Sequence, residues 1–193
     1  MNNSQKIVLL KLSRQTIETY IKEKKKLKID KKDYGDSEYW EEKGTFVTLT
    51  ENGNLRGCIG SIYPARPLIL DVIDNSINAA FRDPRFYPVE LKELPLIDIE
   101  ISILSFPEKI NFSNTEELFN LVKPLKHGVI IKMGFYKATF LPQVWEELTN
   151  PIEFFTHLCL KAGLPKNCFE DPDLTVEIYT VESFSEKEFN LNQ

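Results

Sequence analysis

Residues 45–62 read TFVTLTENGNLRGCIGSI, and the way this stretch alternates decides the fold. From Thr45 to Glu51, β-branched and aromatic residues follow the two-residue period of a half-buried strand. Asn52-Gly53 comes next, a pair that accepts the positive φ angles of a tight hairpin turn. Leu55 to Ile62 then forms a second strand antiparallel to the first. Strict alternation along it places Arg56, Cys58 and Gly60 on one face and Leu55, Gly57 and Ile59 on the other.

Working outward, Ser4 is placed to cap a helix running to about Lys26, whose apolar positions Ile7, Leu10, Ile17 and Ile21 recur near helical spacing. Beyond the hairpin, Pro64 and Pro67 end the strand, and Pro67 opens a broad-faced helix carrying Leu68, Ile69, Val72, Ile73, Ile77 and Phe81. A loop over residues 83–88 leads to Ile97, Ile99, Ile101 and Ile103, the clearest strand in the chain. Ser113 to Val122 reads as a short helix with acidic residues in its first turn. His127 to Met133 and Tyr136 to Leu141 make a second hairpin about Gly134, and Pro142 stops it. Pro151 to Ala162 is a helix closed by Gly163 with Pro165 beyond it, and Leu174 to Val181 is a final strand. This order predicts an α+β fold, a mostly antiparallel mixed sheet flanked by helices.

With 193 residues, 42% of them hydrophobic, the chain can bury one core, so residues 1–193 are expected to form a single domain with at most a smaller subdomain. Charged residues at 27% and aromatics at 11% exclude a disordered class. Apolar runs such as Ile7 to Leu10 are far short of the roughly 20 residues a membrane span needs. The polar start and the interruptions at Lys11 and Arg14 do not make a secretory signal, which predicts a cytoplasmic protein. Cys58, Cys159 and Cys168 include no CxxC pair, and free thiols are the default expectation. Cys159 shares a helix face with Phe155, Leu158 and Ala162 and is expected in the core, with Cys168 more accessible in a following loop.

Net charge is −5, yet Lys22 to Asp33 holds seven lysines against three acids, a local +4 that leaves −9 elsewhere. No arginine or aromatic interleaves with those lysines, so the tract reads as a solvated helix end and linker, and nucleic acid is not expected as a partner.

Leu55-Arg56-Gly57-Cys58-Ile59-Gly60 resembles the signature of the AMMECR-type domain family, whose bacterial and archaeal members are called protein A of the AmmeMemoRadiSam system. Further family-like blocks follow in order: Ala79-Ala80-Phe81, Asp83-Pro84-Arg85-Phe86, Ile99 to Leu104, His127 to Ile131, Ala138 to Glu146 and Leu158 to Leu164. The resemblance implies a mixed α+β fold with the Arg56-to-Gly60 motif near a cleft. It also implies Memo-type and radical-SAM pathway proteins as partners. It assigns no activity, and the first 40 residues with the lysine tract lie outside it.

The residues around the motif suggest chemistry. Arg56 flanks the Cys58 thiol, the helix starting near Pro67 points unpaired N–H groups toward its end, and Arg66 adds a charge. Arg56, Gly57, Gly60 and Arg66 are therefore the candidate ligand-binding residues, for an anionic small molecule or modified nucleotide. Cys58 with His127 as general base is the candidate catalytic pair. Against this stands simple packing of a cysteine between two glycines. Asp83 and Arg85 read as a loop ion pair, Glu100 as structural, and His157 as solvent-exposed. Neither a metal site nor a nucleotide cofactor has motif support. The rival to a ligand-binding cleft is a non-catalytic protein–protein interaction module.

Overall fold

A computed structural model describes residues 1–35 and 37–191 of the chain. It divides into two compact units, Met1–Leu104 with Glu182–Gln193, and Ser105–Val181. The architecture is α+β, with four α-helices and two four-stranded sheets. Among the described residues no helix is long and apolar enough to cross a membrane.

In the first unit, helix α1 (Asn3–Glu23) begins one residue before the expected cap. Asn2, not Ser4, caps it: its side chain accepts the Gln5 N–H while the Gln5 side chain accepts the Asn2 N–H, satisfying two otherwise orphaned donors. Strand β1 (Gly44–Glu51) and β2 (Asn54–Gly60) pair antiparallel across Asn52 and Gly53, both at positive φ as a tight turn demands. Strand β3 (Ile97–Leu104) lies on the other side of β1. The sheet order is β2-β1-β3-β8, with β8 (Val181–Ser185) at the far edge. Val47, Leu49, Ile99 and Ile101 share one core with Leu9, Leu10 and Ile17 of α1 and with helix α2 (Leu68–Phe81).

The alternation expected along β2 fails at one residue. Leu49 stands opposite Gly57 and Thr50 opposite Leu55, so Arg56 is the extra residue of a β-bulge. The slip carries Leu55 onto the face of Cys58, which stands opposite Thr48, and leaves Gly57 with Leu49 toward the helices. There β2 passes so close to α2 that a methyl group on Gly57 would sit 2.2 Å from the Ala79 carbonyl oxygen.

Two buried carboxylates tie this unit together. Asp71 on α2 accepts hydrogen bonds from the Thr45 N–H and hydroxyl, the Ser61 hydroxyl and the Asn75 amide. Glu186, 1% exposed, accepts two bonds from Arg14 and one from the Ile99 N–H.

The second unit has its own sheet, order β4-β7-β5-β6, from β4 (Glu108–Ile110), β5 (Gly128–Met133), β6 (Tyr136–Phe140) and β7 (Thr175–Tyr179). Helices α3 (Thr115–Leu121) and α4 (Pro151–Lys161) are capped by Asn114 and Asn150, and Gly163 at positive φ follows α4 as expected. Their core is aromatic: Trp145 stacks on Phe154 at 3.6 Å, and Phe119, Phe155 and Phe169 cluster beside them.

Two expectations are corrected here. Cys159 is in the core, but Cys168 is also buried, and the two form a disulfide; packing of the short turn at Cys168–Glu170 against α4 brings them together. The strand expected over Leu174 to Val181 is two strands, because the chain leaves β7 at Tyr179 and enters the first unit's sheet as β8 from Val181.

Candidate functional site around Cys58

β2 is an edge strand, so one side of its main chain has no neighbouring strand to bond. At Cys58 that side is filled by side chains from the loop after α2. Asp83, with its side chain 2% exposed, accepts the Cys58 N–H at 2.9 Å and holds Arg85 through both carboxylate oxygens. Arg85 in turn donates from Nη2 to the Cys58 carbonyl at 3.2 Å. The Cys58 peptide is thus clamped at both ends by one ion pair, which holds the Asp83 carboxyl far below the ordinary carboxylate range. The Asp83–Arg85 pair expected from the sequence is present, and it orders the motif strand as well as its own loop.

The side chains around this clamp separate into spoken-for and available groups. Arg56 leaves the bulge toward Glu93, donating from Nε at 2.8 Å and Nη2 at 3.2 Å, and this hydrogen bonding lowers the Glu93 pKa. Its third nitrogen, Nη1, is buried and has no hydrogen-bond partner among the described residues. Both Arg56 and Arg85 lie against the Phe86 ring, 6.0 and 5.5 Å from its centroid. Arg85 is the more accessible, its side chain 54% exposed. Cys58 is the one free cysteine among the described residues; it is half-buried, and the Thr48 hydroxyl donates to its sulfur at 3.2 Å.

Arg66 stands elsewhere. It pairs with Asp74 and with Asp71, on the first turns of α2, so the helix N-terminus considered for an external anion is faced by the protein's own carboxylates. Gly57 meets the Ala79 backbone, and a methyl group on Gly60 would strike the Phe46 ring and the Thr45 carbonyl; both glycines have packing reasons that require no ligand.

His127 belongs to the second unit, just before β5. Its Nδ1 accepts the Lys123 N–H at 3.1 Å, so the neutral ring carries its proton on Nε2. Burial, with Lys126 and Lys123 nearby, pushes its pKa down and favours that neutral form. In this tautomer the remaining nitrogen is a donor.

A family model described as AMMECR1 matches residues 10–184. The chain belongs to the AMMECR1 family. AMMECR1 relatives are similar along nearly all of its length. A protein of Methanosarcina mazei is 44% identical over 93% of this chain and 90% of its own. One of Methanothermobacter thermautotrophicus is 38% identical over 92% of each. The crystal structure of uncharacterized protein PH0010 from Pyrococcus horikoshii superimposes with a TM-score of 0.85 at 38% identity, covering 93% of this chain and 90% of that one.

Within this AMMECR1 chain, strict alternation put Arg56 and Cys58 on one strand face, which the bulge at Arg56 interrupts, and it missed the part played by Asp83 and Arg85. The signal was present in Asp83-Pro84-Arg85-Phe86, since an acid and a base two residues apart about a proline suit a local pair. Nothing in the spacing showed that the pair would reach back 25 residues to an edge strand.

Proposed function

We propose that this AMMECR1 protein binds a small anionic molecule between Arg56 and Arg85, beside the Cys58 thiol. The observation that carries the reading is the buried, partnerless Nη1 of Arg56, because an orphaned guanidinium donor is costly and an anionic acceptor placed against it removes that cost. Arg85 supports it as a second cation on the same Phe86 ring, half-exposed and fixed in direction by Asp83. Phosphate and carboxylate groups both suit such a pair, and a modified nucleotide is one molecule that carries the former. The reading is one of binding. A Cys58–His127 reaction is left out of it, because the His127 tautomer described above offers a donor where a general base needs an acceptor. A shared pathway with Memo-type and radical-SAM proteins rests on family resemblance alone.

Alkylation of Cys58 reads the site directly, because the other two cysteines are joined. Inorganic phosphate, pyrophosphate or AMP at about 10 mM, a concentration that reveals even millimolar affinity, is expected to slow iodoacetamide modification several-fold. Arg85→Gln should abolish the protection, Arg66→Gln should keep it, and His127→Gln should leave the unprotected rate unchanged. If none of the three anions protects, or if Arg85→Gln protects as well as the parent, the binding reading is wrong. A second reading, a non-catalytic protein interaction module, is favoured by Tyr87, Leu91 and Leu96, which are exposed on the connection between α2 and β3. Loss of every anion effect would favour it.

A further inference from the structure

A second surface of the first unit lies away from the Cys58 clamp, beside the segment that follows α1. Residues 25–29 are in neither helix nor strand, yet their burial alternates: Leu27 and Ile29 are half-buried against the first unit's core, while Lys26 and Lys28 are exposed. A two-residue alternation is that of extended chain. Among the described residues, the main-chain N–H and C=O groups of Lys25 to Ile29 make no hydrogen bond. The segment therefore resembles an edge strand with no strand beside it.

It also borders a groove of about 1050 Å³, whose lining includes Leu27, Ile29 and Leu70, three lysines (Lys25, Lys26 and Lys28) and one acid, Glu23 at the end of α1. The three apolar side chains pack on the core and form the floor. Lys26 is bonded to Asp74, whereas Lys25 and Lys28 have no carboxylate partner among the described residues. An apolar floor, open main-chain donors and acceptors, and unpaired cations occur together on a protein whose remaining charge is strongly negative.

We propose that this groove docks an extended, acidic segment of a partner protein. The partner's main chain adds as a strand along Lys25 to Ile29, its alternate apolar side chains sit on Leu27, Ile29 and Leu70, and its carboxylates meet Lys25 and Lys28. Main-chain bonding gives the affinity, and the lysines choose an acidic partner over a basic one. The groove has no arginine or aromatic on which bases would stack, which favours protein over nucleic acid. The inference stands apart from the anion reading and shares no residue with it.

The probe is a fluorescein-labelled heptapeptide in which glutamate alternates with leucine and valine, followed by fluorescence polarisation on the full chain. Binding in the tens of micromolar is expected at about 50 mM salt, weakening at least 3-fold at about 300 mM as the lysines are screened. The double variant Lys25→Glu with Lys28→Glu, at exposed positions where folding is retained, should weaken it at least about 5-fold. Hydrogen exchange at the Leu27, Lys28 and Ile29 amides should slow on peptide addition. Equal binding of a peptide with lysine in place of glutamate overturns the proposal, as does an unaffected double variant or unprotected amides under saturating peptide. Tighter binding of a uridine oligonucleotide, or of vesicles containing phosphatidylglycerol, would assign the surface to nucleic acid or membrane instead.

Discussion

The two units are held together by different physics. The first joins its helices to its sheet through buried carboxylates, Asp71 reaching from α2 to the Thr45 backbone and Glu186 linking Arg14 of α1 with the Ile99 N–H. The second relies on stacked and edge-on rings around Trp145 and Phe154 and on the Cys159–Cys168 disulfide. Rings carry no charge to delete and a disulfide is opened by reductant, whereas a buried hydrogen-bonded carboxylate is lost by a single substitution. Single charge deletions should therefore strike the first unit, and reductant the second.

The sharpest way to break that comparison is Glu186→Ala. Removing one partner from a buried pair strands Arg14 and the Ile99 amide, so a loss of about 4 kcal/mol is expected. Native-state hydrogen exchange should show fast opening at Val47 and Ile99 with Ile131 and Val176 still protected. If Ile131 opens in parallel, the two units do not respond separately and the contrast fails.

Replacing both Cys159 and Cys168 by alanine tests the other half. The bridge closes a loop of nine residues in sequence, for which chain entropy gives roughly 2.5 kcal/mol. Exchange should quicken at Phe155 and Val176 and stay unchanged at Val47. Reductant added to the parent should reproduce the pattern.

The smallest effect concerns pH within the first unit. Asp83 has its pKa lowered from 3.8 by Arg85, so its stabilisation is present above that ordinary value and is lost as pH falls below it toward the folded value. Asp71 has its pKa raised from 3.8, chiefly by burial, so its contribution has the opposite sign: stability is fullest in acid and declines as pH rises through the window above 3.8. The unfolding free energy of Asp83→Asn, measured in urea, should lie about 1 kcal/mol below the parent near pH 7 and converge with it in strong acid. A deficit that persists unchanged at low pH would mean that Asp83 acts by shape and not by charge.

The fold was legible where local chemistry acts alone. Asn52-Gly53 announces its hairpin, the isoleucines of β3 alternate without interruption, and Gly163 closes α4 as the left-handed conformation requires. What escaped were features settled between distant segments. The bulge at Arg56 depends on how two strands match, so one strand's pattern cannot show it. β8 buries Phe184 as its one fully enclosed side chain, too little to mark a strand of its own. A nine-residue spacing of cysteines matches no motif, so the disulfide had no signal to read. At the candidate site, Cys58 and Arg56 were visible from the motif, while the reach of Asp83 to an edge strand was a product of the loop's path.

The course of the chain also bears on how the protein is made. The first unit is discontinuous: its last strand begins only at Val181 and the carboxylate that anchors Arg14 follows that strand, with the second unit synthesised in between. Arg14 waits 172 residues for Glu186. The segment through β3 thus emerges before the second unit and completes its sheet after it, while the second unit, contiguous in sequence, has all its strands as soon as β7 is out. Such long-range closure is slow, because the loop must be ordered before the contact rewards it. Of the two units, the one whose first strands are made earlier is the one that closes its sheet later.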